Sequence, residues 1–143
     1  MDNQKRLIPG LPLPVSSVFF GTAMPPVMTD GPEAGALLDS VLTNGVNTFD
    51  CARSYGLAEK ALGRWIRERS VRNQVVILSK CGDIRNGQVE VNRRVIREQL
   101  AQSLEALGTD CIDLYLLHRD DPGTRKTLVG YEGSLRRQEA QMI

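Results

Sequence analysis

Four side chains in this sequence have the types and spacing to do chemistry together: Asp50, Tyr55, Lys80 and His118. Asp50 and Tyr55 lie within "NTFDCARSYGLAEKALG" (47–63), Lys80 closes "VVILSK", and His118 closes "CIDLYLLH". A tyrosine gives up its proton reluctantly near neutral pH, and a neighbouring ammonium stabilises the anion it leaves behind. Lys80 can serve Tyr55 in this way, and Asp50 can hold that lysine charged at a partly desolvated site. A neutral imidazole from His118 can hydrogen-bond a substrate oxygen as charge develops on it. The set suits protonation of a carbonyl oxygen while a hydride arrives at its carbon. It does not suit acyl transfer, because no serine or cysteine nucleophile has a base placed beside it. Taken singly, each residue has a plainer reading, the acid as a turn residue, the lysine as a solvated charge, the histidine as a structural group. The argument rests on their convergence.

Convergence requires a scaffold. Four runs rich in β-branched or aromatic residues read as strands: "SVFFG" ending at Gly21, "VNTFD" at Asp50, "VVILSK" at Lys80 and "CIDLYLLH" at His118. Between them lie helical stripes. The first carries Ala34, Leu37, Leu38, Val41 and Leu42, with Pro32 as its expected first residue and Asn44-Gly45 as its stop. The second carries Ala58, Ala61, Leu62, Trp65 and Ile66, with Glu59, Lys60, Arg64, Arg67 and Glu68 assigned to the opposite, solvated face. The third runs from about Asn92 to Leu107, with Ile96, Leu100, Ser103, Leu104 and Leu107 inward and Gly108 as its cap. Strand and helix alternating every ~30 residues is the βαβ signature, and right-handed crossovers then require a parallel sheet covered by helices. The class is α/β. In such sheets the C-terminal strand ends open on one face, where Asp50, Lys80 and His118, each read as the last residue of its strand, meet Tyr55 from the following loop.

Bulk properties agree with a small globular domain. The 143 residues are 41% hydrophobic and 24% charged, with a formal net charge of +1, which supplies no basic stripe for nucleic acid. Cys51, Cys81 and Cys111 are odd in number and lack paired spacing, so neither a disulfide framework nor a zinc site is indicated and a reducing, cytoplasmic setting is expected. Strand alternation turns Cys51 and Cys81 away from the face that carries Asp50 and Lys80, as packing residues rather than metal ligands. Pro9, Pro12 and Pro14 break the N-terminal stretch that faintly imitates a secretory signal, and no run is long enough to span a membrane.

At these residues the chain resembles the aldo-keto reductases. "FDCARSYGLAEKALG" is similar to their Asp-x-Ala-x-x-Tyr-Gly-x-Ala/Ser-Glu-x-x-Leu-Gly signature, "VVILSKCG" to their third strand, "DLYLLHRDDP" to their fourth, and "FFGTA" to the end of their first. The resemblance covers about Ser17 to Pro122. It implies that Asp50, Tyr55, Lys80 and His118 form a catalytic tetrad with Tyr55 as proton donor. It further implies NADP(H) or NAD(H) as cofactor, touched from this part of the chain by Gly21, Thr22 and Asp50, and a small-molecule carbonyl substrate; no nucleic acid, membrane or metal partner is expected.

A (β/α)8 barrel takes about 250 residues, so the expectation is a half barrel within one domain, residues 1–143. Four β/α units fill 17–118, and 119–143 form an atypical tail, read as truncated or out of frame, with a weak helix from about Ser134. The family's remaining cofactor contacts come from later strands and have no counterpart in the sequence. The first and fourth strands would be left as edges beside an apolar face, which invites closure by a second copy in a homodimer. Two function classes follow: a reductase incomplete in this chain, and a catalytically inactive half barrel with a structural or self-associating role.

Overall fold

The computed structural model describes residues 4–85, 88–89, 91–119 and 135–136. Its centre is a four-stranded parallel sheet of β1 (Phe19–Gly21), β2 (Thr48–Asp50), β3 (Val76–Cys81) and β4 (Leu114–Leu117), hydrogen-bonded in that order. Three helices connect them: α1 (Ala34–Thr43), α2 (Ala58–Arg69) and α3 (Arg93–Leu107). Strand order equal to chain order with a helix at each crossover is the first half of a (β/α)8 barrel.

Register fixes which side chains share a face. Gly21 pairs with Asp50, Asp50 with Leu78, and Lys80 with Leu116. Because successive side chains alternate, Gly21, Asp50, Leu78, Lys80 and Leu116 all point to one face, the concave one. Phe49, Cys51, Ile77, Ser79 and Cys81 take the other and are buried beneath the helices. There Phe49 packs on Phe20 at 6.2 Å and on Trp65 at 5.3 Å between ring centroids, at the centre of a core that includes Leu38, Leu62, Leu100 and Leu104. α2 and α3 come unusually close at Gly63, where a Cβ would lie 2.1 Å from the Leu107 carbonyl oxygen, so no larger residue fits.

The helix stripes emerge as read, with one exception. Ala58, Ala61, Leu62, Trp65 and Ile66 are buried, but so is Glu59, at 5% exposure, on the face opposite to the solvated one assigned to it. Its carboxylate accepts a 2.6 Å hydrogen bond from the Ser79 hydroxyl, a polar partner on the helix-facing side of β3 that makes burial tolerable. Pro32 precedes the α1 cap Glu33 instead of opening the helix, while Asn44 and Gly45 end it and Gly108 caps α3 as expected.

The strands end slightly differently from the reading. β3 continues through Lys80 to Cys81, and His118 lies one residue beyond β4. The run "CIDLYLLH" also divides at Asp113 into Cys111–Ile112 and β4. The cause is the Asp113 carboxylate, which accepts the Ile77 N–H at 2.7 Å in place of a backbone carbonyl. Cys111–Ile112 instead pairs antiparallel with Leu135–Arg136, so those two residues are extended where a helix was expected from Ser134. Residues 120–134 and 137–143, on which the rest of the tail reading falls, lie outside the described residues. Two short hairpins were not foreseen, Lys5–Arg6 with Val15–Ser16 and Ile84–Arg85 with Gln88–Val89. The first plugs the N-terminal end of the sheet, where the Ser16 N–H donates to Asn47 Oδ1 at 2.9 Å. No helix among the described residues is long and apolar enough to cross a membrane.

Candidate active site

Asp50 and Lys80 reach each other because register lifts Lys80 two residues above the partner of Asp50, a step of roughly 7 Å that a lysine side chain spans backwards. Its ammonium is an ion-pair partner of Asp50, donates to the Cys51 carbonyl at 2.9 Å, and donates to the Tyr55 hydroxyl at 3.1 Å. All three donors of the ammonium are thereby used. The Lys80 side chain is 12% exposed and that of Asp50 35%, so the pair sits at a mouth, with the acid on its outer side.

Tyr55 is held by the turn that leads into α2. Its carbonyl accepts the Ala58 N–H at 3.0 Å, and the Leu57 N–H reaches across to the Met28 carbonyl at 2.8 Å. Gly56 between them has φ +60°, and a Cβ there would meet the Met28 oxygen at 2.7 Å. Only glycine accommodates both the left-handed backbone and that approach. The tyrosine is thus half-buried with its ring on the core and its hydroxyl over Lys80, whose Nζ lies 4.7 Å from the ring centroid.

His118 meets Tyr55 edge-on, ring centroids 5.5 Å apart and planes at 88°. Its own N–H donates to the Cys81 carbonyl at 2.6 Å, tying the residue after β4 to the end of β3. Two residues that the sequence reading missed flank its ring: Ser54 Oγ at 3.1 Å and Asp83 Oδ1 at 3.4 Å, both from Nδ1. Their signal was position alone, one residue before the tyrosine and three after the lysine.

All four tetrad residues therefore meet at the C-terminal ends of the strands. Of the two residues read as cofactor contacts beside Asp50, Gly21 is exposed and open, with no atom within 4 Å of where a Cβ would stand. Thr22 is fully buried; both its N–H and its hydroxyl donate to the Asp50 carbonyl at 3.0 Å, so it fixes the end of β2. Cys51 and Cys81 are buried on the helix-facing side, and burial pushes their thiols up to about 12 and about 11. Neither is poised as a nucleophile.

A parallel β/α sheet with a carboxylate, tyrosine, lysine and histidine gathered at its C-terminal rim is part of a (β/α)8-barrel scaffold. The chain belongs to the aldo/keto reductase family, whose model matches residues 17–141, beyond Pro122 where the residue-level resemblance stops. Aldo-keto reductase str7 of Strobilurus tenacellus is 37% identical over 98 residues, 68% of this chain and 29% of that protein. Protein tas of Escherichia coli K12 is 33% identical over 131 residues, 80% of this chain and 38% of that protein. Among solved structures, aldo-keto reductase AKR11C1 from Bacillus halodurans in its holo form matches with a TM-score of 0.68 at 28% identity, covering 86% of this chain and 42% of that one. The chain thus spans less than half the length of each.

Proposed function

We propose that these residues form the proton-transfer half of an NAD(P)H-dependent carbonyl reductase. The observation that carries this reading is the 3.1 Å hydrogen bond from Lys80 to the Tyr55 hydroxyl, at the rim of the sheet and next to an Asp50 that is open on one side. A reduced nicotinamide, when bound, supplies the hydride. Tyr55 transfers its phenolic proton to the carbonyl oxygen as the hydride reaches the carbon, so that an alcohol forms and both bonds are accounted for. Lys80 stabilises the phenolate left behind, and Asp50 balances the charge of the lysine. His118, whose ring meets that of Tyr55 edge-on, can hydrogen-bond the same carbonyl oxygen.

The residues present fit part of such a cofactor. Gly21 leaves an uncluttered surface at the end of β1, and the outer oxygen of Asp50 can accept from a ribose hydroxyl. Thr22, fully buried, acts through the backbone of Asp50. The choice between NADPH and NADH, and the carbonyl compound reduced, rest on groups beyond these strands.

The test is titration of the purified chain with NADPH, followed by cofactor fluorescence, with Tyr55→Phe as control and consumption of NADPH with simple aldehydes as the second readout. Saturable binding with turnover abolished by Tyr55→Phe supports the reading. Absence of binding at high micromolar cofactor means a tetrad without its hydride donor. A second reading, an inactive half barrel that self-associates, is favoured by Phe19 and Leu116, which stand 40% and 46% exposed on the concave face of the two edge strands. It expects a homodimer in size-exclusion chromatography at micromolar concentration; a monomer removes it.

A further inference from the structure

Two anchors hold the segment that carries Tyr55, one from the loop after β1 and one from β3. The first is the Met28 carbonyl, which receives the Leu57 N–H at 2.8 Å. The second lies on the helix-facing side of the sheet, where the Ser79 hydroxyl donates to Glu59 Oε1 at 2.6 Å, with Ser79 fully buried and Glu59 5% exposed. Glu59 is the second residue of α2, and Tyr55 is joined to that first turn by the bond from the Ala58 N–H to its own carbonyl. Ser79 precedes Lys80 on β3, so its side chain goes to the helices while that of Lys80 goes to the concave face. One buried bond thus ties the turn that carries the tyrosine to the strand that carries the lysine.

The first turn of α2 needs such a tie. Its N-cap is Leu57, whose side chain accepts no backbone N–H, whereas Asn92 caps α3 by accepting the Val95 N–H at 3.0 Å. A first turn without a cap is the weak end of a helix, and loosening there would carry Tyr55 away from Lys80. We infer that the Glu59–Ser79 hydrogen bond is a clamp that sets the 3.1 Å approach of Lys80 to the Tyr55 hydroxyl, with Glu59 and Ser79 as positioning residues. Both face the helices, so they act on the reaction through Tyr55 and Lys80 alone. The clamp is a property of the folded chain, and its consequence for proton transfer rests on the reductase reading.

The test reads Tyr55 directly. The chain has three tyrosines, so 13C labelling at tyrosine Cζ gives few signals, and Tyr55→Phe identifies the one that belongs to Tyr55. Spectra are recorded on the whole chain at neutral pH without cofactor, and Lys80→Met marks where that signal goes when the ammonium is removed. Ser79→Ala and Glu59→Leu should move the Tyr55 signal toward the Lys80→Met position. Glu59→Gln keeps a carbonyl that can accept from Ser79 and should hold the wild-type position. A bond that only stabilises the fold would lower the urea midpoint of Ser79→Ala yet leave the Tyr55 signal of the folded variant in place, and that result overturns the inference. So does a shift in Glu59→Gln as large as that in Glu59→Leu. Should a single variant fail to fold, Ser79→Ala combined with Glu59→Leu removes both polar partners, so that neither is left buried alone, and is read in the same way. In any preparation that turns over aldehydes, Ser79→Ala should also lower kcat by about tenfold with KM little changed, as lost alignment does. A raised KM with unchanged kcat overturns the clamp. Absence of turnover in every preparation removes the reductase reading instead, and the Tyr55 signal still decides the clamp.

Discussion

Each end of the parallel sheet carries a cation paired with an aspartate, and the two pairs differ in what they leave over. At the N-terminal end, Asp113 is 1% exposed and receives both Arg72 Nη2 and the Ile77 N–H. Arg72 also donates to the Val75 and Cys111 carbonyls, each at 3.0 Å, and to the Thr109 hydroxyl at 3.4 Å. The acid is closed off from solvent by these partners, and their effect is to staple the strand before the division at Asp113 to the segment that enters β3. At the C-terminal end, Lys80 and Asp50 also pair, but one donor of the lysine goes to a tyrosine hydroxyl and the acid keeps a third of its side chain in the open. A saturated pair stabilises a fold, and an unsaturated one at a strand's C-terminal end has valence left for a ligand.

The sharpest way to break this contrast is to remove one atom group from each end. Tyr55→Phe should lower carbonyl reduction by ~10²–10⁴-fold, in any preparation of the chain that turns over. It should change the urea unfolding free energy by no more than about 1 kcal/mol, since a single half-buried hydrogen bond is lost. Asp113→Ala should do the reverse, costing about 3 kcal/mol in urea denaturation and leaving cofactor titration unchanged. That cost is toward the lower end for a broken buried pair, because Arg72 stays about a third exposed and can rehydrate. Equal stability losses in the two variants would mean that both pairs are structural.

How far the sequence disclosed these two ends differs as well. The C-terminal site was legible because its members sit at strand ends, and strand ends are marked by changes in hydrophobic period: Asp50, Lys80 and His118 each follow an apolar run. Tyr55 was read from its place in the loop between the second strand and the helix that follows, and the aldo/keto reductase motif agrees with it. The N-terminal network was not legible, since nothing in "CIDLY" distinguishes an aspartate that interrupts a strand from one exposed at its start. Glu59 failed for a related reason. Helical periodicity sorts charged residues to the outside by default, and nothing in the helix itself announces the Ser79 hydroxyl on the neighbouring strand that makes its burial tolerable. Ser54 and Asp83 were hidden because their partner, His118, is remote in sequence and meets them only through the crossover.

Glu59 offers a smaller test, since it lies behind the open end yet is closed off from solvent. Burial raises its carboxyl above the usual carboxylate range and Asp83 adds to this, against the Ser79 and Ser103 hydroxyls and Arg53. The folded chain therefore keeps this proton at pH values where the unfolded chain has released it. The stability it contributes is complete below the unfolded carboxylate value of about 4.3 and is lost as pH rises through the raised one. Glu59→Gln holds the neutral shape at every pH. The melting temperature of the wild type minus that of Glu59→Gln should be flat in acid and decline as pH rises across that window. Parallel curves would place Glu59 in water, on the solvated face first assigned to it.

The smallest effect tests the register on which both ends depend. Cys51 follows Asp50 and Cys81 follows Lys80, so strand alternation puts each thiol on the face opposite to its neighbour. Both are buried, and burial raises them to about 12 and about 11, whereas Cys111 at the other end of the sheet is half-buried. Native iodoacetamide treatment at mildly alkaline pH, read by peptide mass spectrometry, should label Cys111 first. A thiol raised in this way has so little thiolate that it reacts more slowly even allowing for its greater nucleophilicity. Restricted access slows it further, to the rate of opening. Rapid native labelling of Cys51 and Cys81 would mean that they, and not Asp50 and Lys80, face the open side. The ammonium could then not stand over Tyr55, and the proposed chemistry would lose its geometry.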